Sequence, residues 1–258
     1  MKTTVKTTMK TLSLVLGLGL VTIACNDQDE VAPNQEQAIT YDEAADEIAT
    51  TLATDITGLA ADLSVLSTDA ENARMASDAK MSACGVSYDT TFTRTYNGQY
   101  VTSASTVSYQ YELSCKSSSG GAPALTYSFA AEGNRNSIRL ASQGTSDGSL
   151  AASGLEASST VYQLNGLFER TSEVTQKTQE QKTFNSESDV TLTELVINKE
   201  TLKIESGAAA FSLHGESTGG GTFDYTSSIV FNGDETATIT LNSAEVYQVN
   251  LATGEVTQ

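Results

Sequence analysis

Residues 84–115 read CGVSYDTTFTRTYNGQYVTSASTVSYQYELSC. Val86, Tyr88 and Phe92 alternate with polar residues in the first half, and Val101, Val107, Tyr109, Tyr111 and Leu113 do so in the second. A period of two puts every second side chain on one face of a β-strand, so the segment predicts two strands with one apolar face each. Even-numbered residues point inward on the first strand and odd-numbered ones on the second. Facing partners must then sum to an odd number, with the turn near Asn97 to Tyr100. Cys84 and Cys115 sum to 199, which obeys that parity and sets both at the open end of one hairpin.

The alternation recurs downstream at Leu125, Tyr127 and Phe129, at Tyr162, Leu164 and Phe168, and at Val190 and Leu192. It continues through Phe211 and Leu213, through Phe223, Tyr225, Ile229 and Phe231, and through Ala237, Ile239 and Leu241. Gly219, Gly220 and Gly221 mark one hairpin; a three-residue or bulged turn through Asn232, Gly233 and Asp234 marks the next and would pair Ile229 with Ala237. The fold class is mainly β, an antiparallel meander of about nine to eleven strands. Gly133, Gly166 and Gly215 fall inside strands, where glycine signals a bend or a close backbone approach, so a strongly curved sheet is expected.

Upstream the period changes. Thr40 and Glu43 form a capping box, and Tyr41, Ala45, Ile48, Leu52, Ile56, Leu59, Leu63 and Leu66 recur at spacings of three and four. This predicts one amphipathic helix over 41–66, with Asp42, Asp46, Glu47, Asp55 and Asp62 on a solvated face, and a shorter helix near Asp69 to Met75. Ten strands of roughly 35 Å at about 4.8 Å spacing offer a face near 1,700 Å², whereas a helix of that length covers about 400 Å². Either the sheet curls around the helix into a half-barrel or barrel, or part of its face is left for a ligand or partner. Tyr109, Tyr111, Tyr127, Phe129, Phe168, Phe223 and Tyr225 share that inner face. They read as ordinary core, as the lining of an apolar pocket, or as a recognition surface.

At the N-terminus, Lys2, Lys6 and Lys10 precede an apolar run from Leu12 to Ala24 that is too short for the roughly 20 residues of a spanning helix. Thr22, Ile23, Ala24 and Cys25 close that run and resemble the lipobox of bacterial lipoprotein precursors, with Thr22 where that family usually has leucine. The resemblance implies cleavage before Cys25 and acylation of its thiol. An ordinary secretory signal cut at the same bond would leave Cys25 a spare thiol. Asp27, Asp29 and Glu30 resemble the acidic export signal that sends lipoproteins of the Bacteroidota to the outer face of the outer membrane; the alternatives are a merely polar tether and a periplasm-facing protein. The expected organisation is a signal over 1–24, a lipidated tether over 25–38, a helical segment over 39–82 and a β domain over 83–258.

Without residues 1–24 the chain carries 11 basic and 32 acidic residues, a net charge of −21, which repels phosphate backbones. Nucleic acid is thus not an expected partner; the membrane, through the lipid anchor, is. In an exported chain with three cysteines, Cys84 and Cys115 are an even pair once Cys25 is acylated, and a disulfide is expected. Two cysteines and His214 give no metal site of the usual spacing, and no glycine-rich loop opens a helix, so neither a metal nor a cofactor is expected. His214 falls on the outward parity of its strand, and Glu187 and Asp189 share one face of theirs; chance explains the carboxylate pair in so acidic a chain. Asn232 to Glu235 offers oxygens to calcium but reads more simply as a turn. The expectation is a non-enzymatic, lipid-anchored binding or structural module of the outer membrane or cell surface. The alternatives are a carrier of an apolar ligand, lipid or lipoprotein, and an envelope hydrolase.

Overall fold

A computed structural model describes residues 38–53, 62, 63, 65, 66, 68, 72, 85, 87–114, 124–177 and 182–258. The chain divides into two units, 1–35 and 36–258, and the described residues all belong to the second. Among the described residues one continuous helix, α1, spans Tyr41–Leu52. Eleven strands follow: β1 Ser87–Asn97, β2 Val101–Ser114, β3 Ala124–Ser137, β4 Leu140–Ser153, β5 Val161–Gln176, β6 Thr183–Asn198, β7 Ile204–Ser217, β8 Thr222–Phe231, β9 Thr236–Leu241, β10 Glu245–Asn250 and β11 Glu255–Thr257. They form a single antiparallel sheet in chain order, open between its edges β1 and β11. The expected meander is present, and its closed-barrel version is not: the edge strands remain without a mutual ladder among the described residues.

The β1–β2 register runs from Ser87 opposite Glu112 to Asn97 opposite Thr102, every pair summing to the odd value the alternation demands. The β8–β9 register differs from expectation by two residues: Ile229 faces Ile239, and Ala237 faces Phe231. The turn is longer than foreseen. Asn232 N–H donates to Thr236 O at 3.0 Å, Gly233 adopts φ +89° and Glu235 φ 62°, and the Asn232 side-chain amide donates to the Thr236 and Thr238 hydroxyls. An even shift preserves the face of every side chain, so the apolar alternation survives it.

α1 begins as the sequence predicts. Glu43 N–H donates to Thr40 Oγ1 at 3.3 Å, and Thr40 N–H donates to Glu43 Oε2 at 2.7 Å. It ends 14 residues earlier than the predicted boundary, at Leu52, where Ala53 turns extended. Thr50 and Thr51 donate their hydroxyls back to the carbonyls of Asp46 and Glu47, a competition that weakens a helix end. Helical conformation returns at Asp62, Leu63, Val65, Leu66, Thr68 and Asn72. Ile56, Leu59 and most of the predicted helix near Asp69 to Met75 lie outside the described residues.

A second correction concerns polarity. Glu47 is fully buried and Asp62 is 2 % exposed, although both were expected on a solvated face. The reason lies in the reach of α1, about 18 Å long for its 12 residues. Its side chains Thr50 and Glu47 accept from Arg135 on β3 and from Ser172 on β5 and Ser186 on β6. Tyr247 on β10 donates to Asp42 at 2.8 Å, and Tyr225 on β8 donates to the carbonyl of Ile39, just before α1, at 2.6 Å. Arg135 Nη2 also donates to Thr253 O, in the β10–β11 turn, at 3.4 Å. Seven strand spacings separate β3 from β10, about 34 Å in a flat sheet, far beyond an arginine's span. The sheet is bent between them.

A line of register partners shows where space is tightest. Arg94, Ser105, Gly133, Gly144, Ser172, Ser186, Gly215 and Phe223 face one another in succession across β1 to β8. A Cβ at Gly144 would lie 2.0 Å from Thr171 O, and one at Gly215 2.0 Å from Asn185 O. Gly133 and Gly166 are similarly crowded by backbone oxygens, at 2.7 and 2.3 Å, so the mid-strand glycines mark close backbone approach as predicted.

Candidate functional site

The row of small residues leaves a trench on the inner face, and carboxylates fill it. Glu47 Oε1 accepts from Ser172 Oγ at 2.9 Å and from Ser186 Oγ at 3.2 Å. Arg170 donates Nε to Ser172 and Nη2 to Ser142. Arg94 Nη2 donates to Asp62 Oδ1 at 2.5 Å at one end of the trench, and Arg139 pairs with Asp46 at 2.8 Å at the rim of α1. Burial pushes the Glu47 carboxyl up, against the pull of Arg170, the two serine hydroxyls and Arg135. Burial also pushes Asp62 up to about 6 against Arg94, and Asp46 up to about 6 against Arg139. Glu47 and Asp46 tie α1 to the sheet through Ser172, Ser186 and Arg139, while Asp62 pairs with Arg94 on β1.

The seven aromatic residues predicted on one face are there, and they pack on one another. Tyr127, Phe168 and Tyr225 are at most 1 % exposed, Phe129 and Phe223 nearly so, and Tyr109 and Tyr111 half-buried. Tyr88, Tyr111, Tyr109, Tyr127, Phe129 and Phe168 form a run of rings 5.1 to 6.3 Å apart, and Phe184, Phe223, Tyr225 and Tyr41 form another. Tyr127, Phe129, Phe168, Phe223 and Tyr225 belong to the core, with Tyr109 and Tyr111 packed against it, and none of the seven lines the two cavities described below. Burial pushes the Tyr225 hydroxyl up to about 12 and raises that of Tyr247, so both stay neutral donors. Cys25, Asp27, Asp29, Glu30, Cys84 and Cys115 all lie outside the described residues.

His214 is on the outer face, its Nε2 3.0 Å from Glu187 Oε2, while Ser212 donates its hydroxyl to Asp189 at 3.1 Å. The hydroxyl is committed to a carboxylate and not to the imidazole, which is not a nucleophile–base pairing. In the Asn232 turn, Asp234 Oδ1 accepts from Thr236, consistent with the turn reading. Among the described residues no group of three or more His, Cys, Asp or Glu could hold a metal ion, and no helix is long and apolar enough to cross a membrane.

Two roomy cavities stand out among the described residues. One, about 670 Å³, is a shallow outer-face groove above Gly133 and Gly144, lined by polar side chains such as Thr106, Glu132, Asn134, Gln143 and Glu173. The other, about 650 Å³, lies where the β1–β2, β3–β4 and β10–β11 turns meet α1. Its deep wall includes Arg135, Thr50 and Leu140, all nearly solvent-free, and its rim includes Tyr96, Tyr100, Ile138 and Glu255. Comparison with known proteins yields nothing: no family model, no curated protein and no solved structure matches the chain.

The signal for the trench was present and overlooked. Arg94, Arg135 and Arg170, three of the five arginines, fall on inward positions of their strands. A guanidinium on an inner face requires a buried carboxylate. The cavity had no such signal, because turns distant in sequence compose it.

Proposed function

We propose that this chain is a lipid-anchored, non-enzymatic binding module of the bacterial cell envelope, in which a half-barrel of eleven strands wraps α1. The observation that carries the anchor is Cys25, at the end of an apolar run that follows three lysines and precedes Asp27, Asp29 and Glu30. Two or three acyl chains, at about 0.8 kcal/mol per buried methylene, exceed the single-chain level at which membrane binding is merely reversible. The acidic run supports display on the outer face of the outer membrane, with a periplasm-facing protein as the alternative. The bond from Arg135 to Thr253 supports the wrapped sheet. Cys84 and Cys115 are an even pair in an exported chain once Cys25 is acylated, which supports a disulfide between them. Such a bridge would contribute roughly 3 to 4 kcal/mol on the chain-entropy estimate.

The test of the anchor is metabolic labelling with radioactive palmitate in the producing cell. Label on the wild-type chain, lost together with membrane association in Cys25→Ser, is the expected result; an unlabelled, freely soluble wild-type chain would contradict it. The second reading, a carrier of apolar ligands, is favoured by the 650 Å³ cavity with its exposed apolar rim.

A further inference from the structure

We propose that β1 is a docking edge for a second copy of this chain, the two β1 strands pairing antiparallel about Phe92. The proposal concerns the sheet alone and is independent of the lipid anchor and of the carrier reading.

The two edges of the sheet differ in how they are guarded. β11 is three residues long and begins with Glu255, whereas β1 runs for 11 residues without proline, lysine or a break in its register with β2. A long, regular edge presents a row of unpaired amides and carbonyls, which is a template for another strand. Gly98 N–H donates to Val101 O at 2.8 Å, closing the β1–β2 hairpin. Alternation from that pair turns the backbone groups of even-numbered residues toward β2 and those of Ser87, Asp89, Thr91, Thr93, Thr95 and Asn97 toward the open side. Among the described residues no strand pairs on that side. All of β1 except Phe92 and Arg94 is exposed, so a neighbour can reach it.

The pattern of side chains says what fits there. Tyr88, Phe92 and Tyr96 are spaced by four on the inner side, so the row reads the same in both directions. Antiparallel pairing about Phe92 sets Tyr88 opposite the second copy's Tyr96 and Phe92 opposite its counterpart, and it overlaps the whole strand, Ser87 against Asn97. These even positions become the non-hydrogen-bonded pairs, about 4.5 Å apart at Cα, where cross-strand aromatic contacts are closest. Tyr88 and Tyr96, 42 % and 41 % exposed, would both lose contact with water. No like charges meet: Asp89 faces Thr95, and Arg94, already bonded to Asp62, faces Thr90. A centre one residue to either side sets an aromatic ring opposite Arg94 and leaves the strand ends overhanging. The odd-numbered residues supply about twelve backbone hydrogen bonds. Strands about 36 Å long in a sheet about 10 Å thick bury roughly 700 Å² in total. That is small for a specific interface, so association should be reversible and in the micromolar range.

The experiment is analytical ultracentrifugation of the purified full chain carrying Cys25→Ser across the micromolar range, where a monomer–dimer equilibrium is expected. Thr91→Pro removes an amide that faces the open side and none that bonds to β2. Circular dichroism should therefore keep its strand signal while association weakens about tenfold or more. Thr95→Pro repeats the test at a second outward amide, and Leu167→Asp, an exposed position on β5, should leave the equilibrium unchanged. Mixing Tyr88→Cys with Tyr96→Cys under oxidation should give a cross-linked dimer that neither variant gives alone, because only that pair lies within disulfide reach. A monomer throughout the range overturns the proposal, as does a dimer that persists in the folded proline variants. A proline-sensitive dimer that lacks the mixed cross-link, or forms it equally in either cysteine variant alone, overturns the register about Phe92.

Discussion

The inner faces of β1–β6 and of β7–β11 follow the same alternation and contain different chemistry. On β7–β11 the inward side chains include Phe211, Leu213, Phe223, Tyr225, Ile229, Phe231, Ile239, Leu241, Tyr247 and Val249, with Ser227 the one buried polar residue named among them. On β2–β6 the aromatic run gives way at one end to Ser103, Ser105, Arg135, Ser142, Ser146, Arg170, Ser172, Ser186 and Ser188, all buried. Alternation therefore reports which way a side chain points and says nothing about what it meets. The last strands are held by removal of apolar area from water. The first also bury apolar side chains such as Leu125, Tyr127, Leu150, Leu164 and Phe168, and add buried polar groups, of which Arg135, Ser172 and Ser186 bond to α1, a more conditional stability.

The largest effect should come from breaking the polar half on one side only. Arg170→Met leaves Glu47 buried without its chief positive neighbour, and a loss of about 3–5 kcal/mol in chemical denaturation is expected. Combining it with Glu47→Leu should restore most of that loss, because a well-packed apolar pair can replace a buried ion pair. In the apolar half, Ile239→Ala should cost about 2–4 kcal/mol and admit no such rescue.

The two halves should also differ in their response to pH. Asp46 and Asp62 are raised to about 6 from an ordinary 3.8, so the folded chain holds their protons more tightly than the unfolded one. The stability they contribute is fully present below pH 3.8 and is lost as pH rises through 6. Unfolding in urea should therefore need less denaturant at pH 7.5 than at pH 5, by on the order of 2 kcal/mol, and the double variant Asp46→Asn, Asp62→Asn should flatten that dependence. Glu47 acts in the same direction. The smallest effect belongs to the outer face: His214→Ala, which removes an exposed pair with Glu187, should change stability by less than about 0.5 kcal/mol.

Much of the fold was legible because period-two patterning is local. The strand faces, the β1–β2 register and the capping box at Thr40 need only neighbouring residues. The end of α1 was not legible from periodicity, since Leu63 and Leu66 continue the apolar stripe while Thr50 and Thr51 weaken the helix between. The β8–β9 register slipped by two because patterning fixes parity, whereas loop length fixes register. The fate of Glu47 and Asp62 depended on curvature, a property of the whole sheet. Even so, the inward arginines at 94, 135 and 170 had announced that buried acids were needed.

The central claim is that the sheet curls far enough to bring its third strand against the turn between its last two. Nitroxides carried on non-natural residues at Ile138 and Thr253, both on the wall of one cavity, report that distance by pulsed electron resonance. The curled sheet predicts a narrow distribution below about 20 Å, and a flat sheet of the same order, with seven spacings between these strands, would give about 34 Å or more and contradict the account.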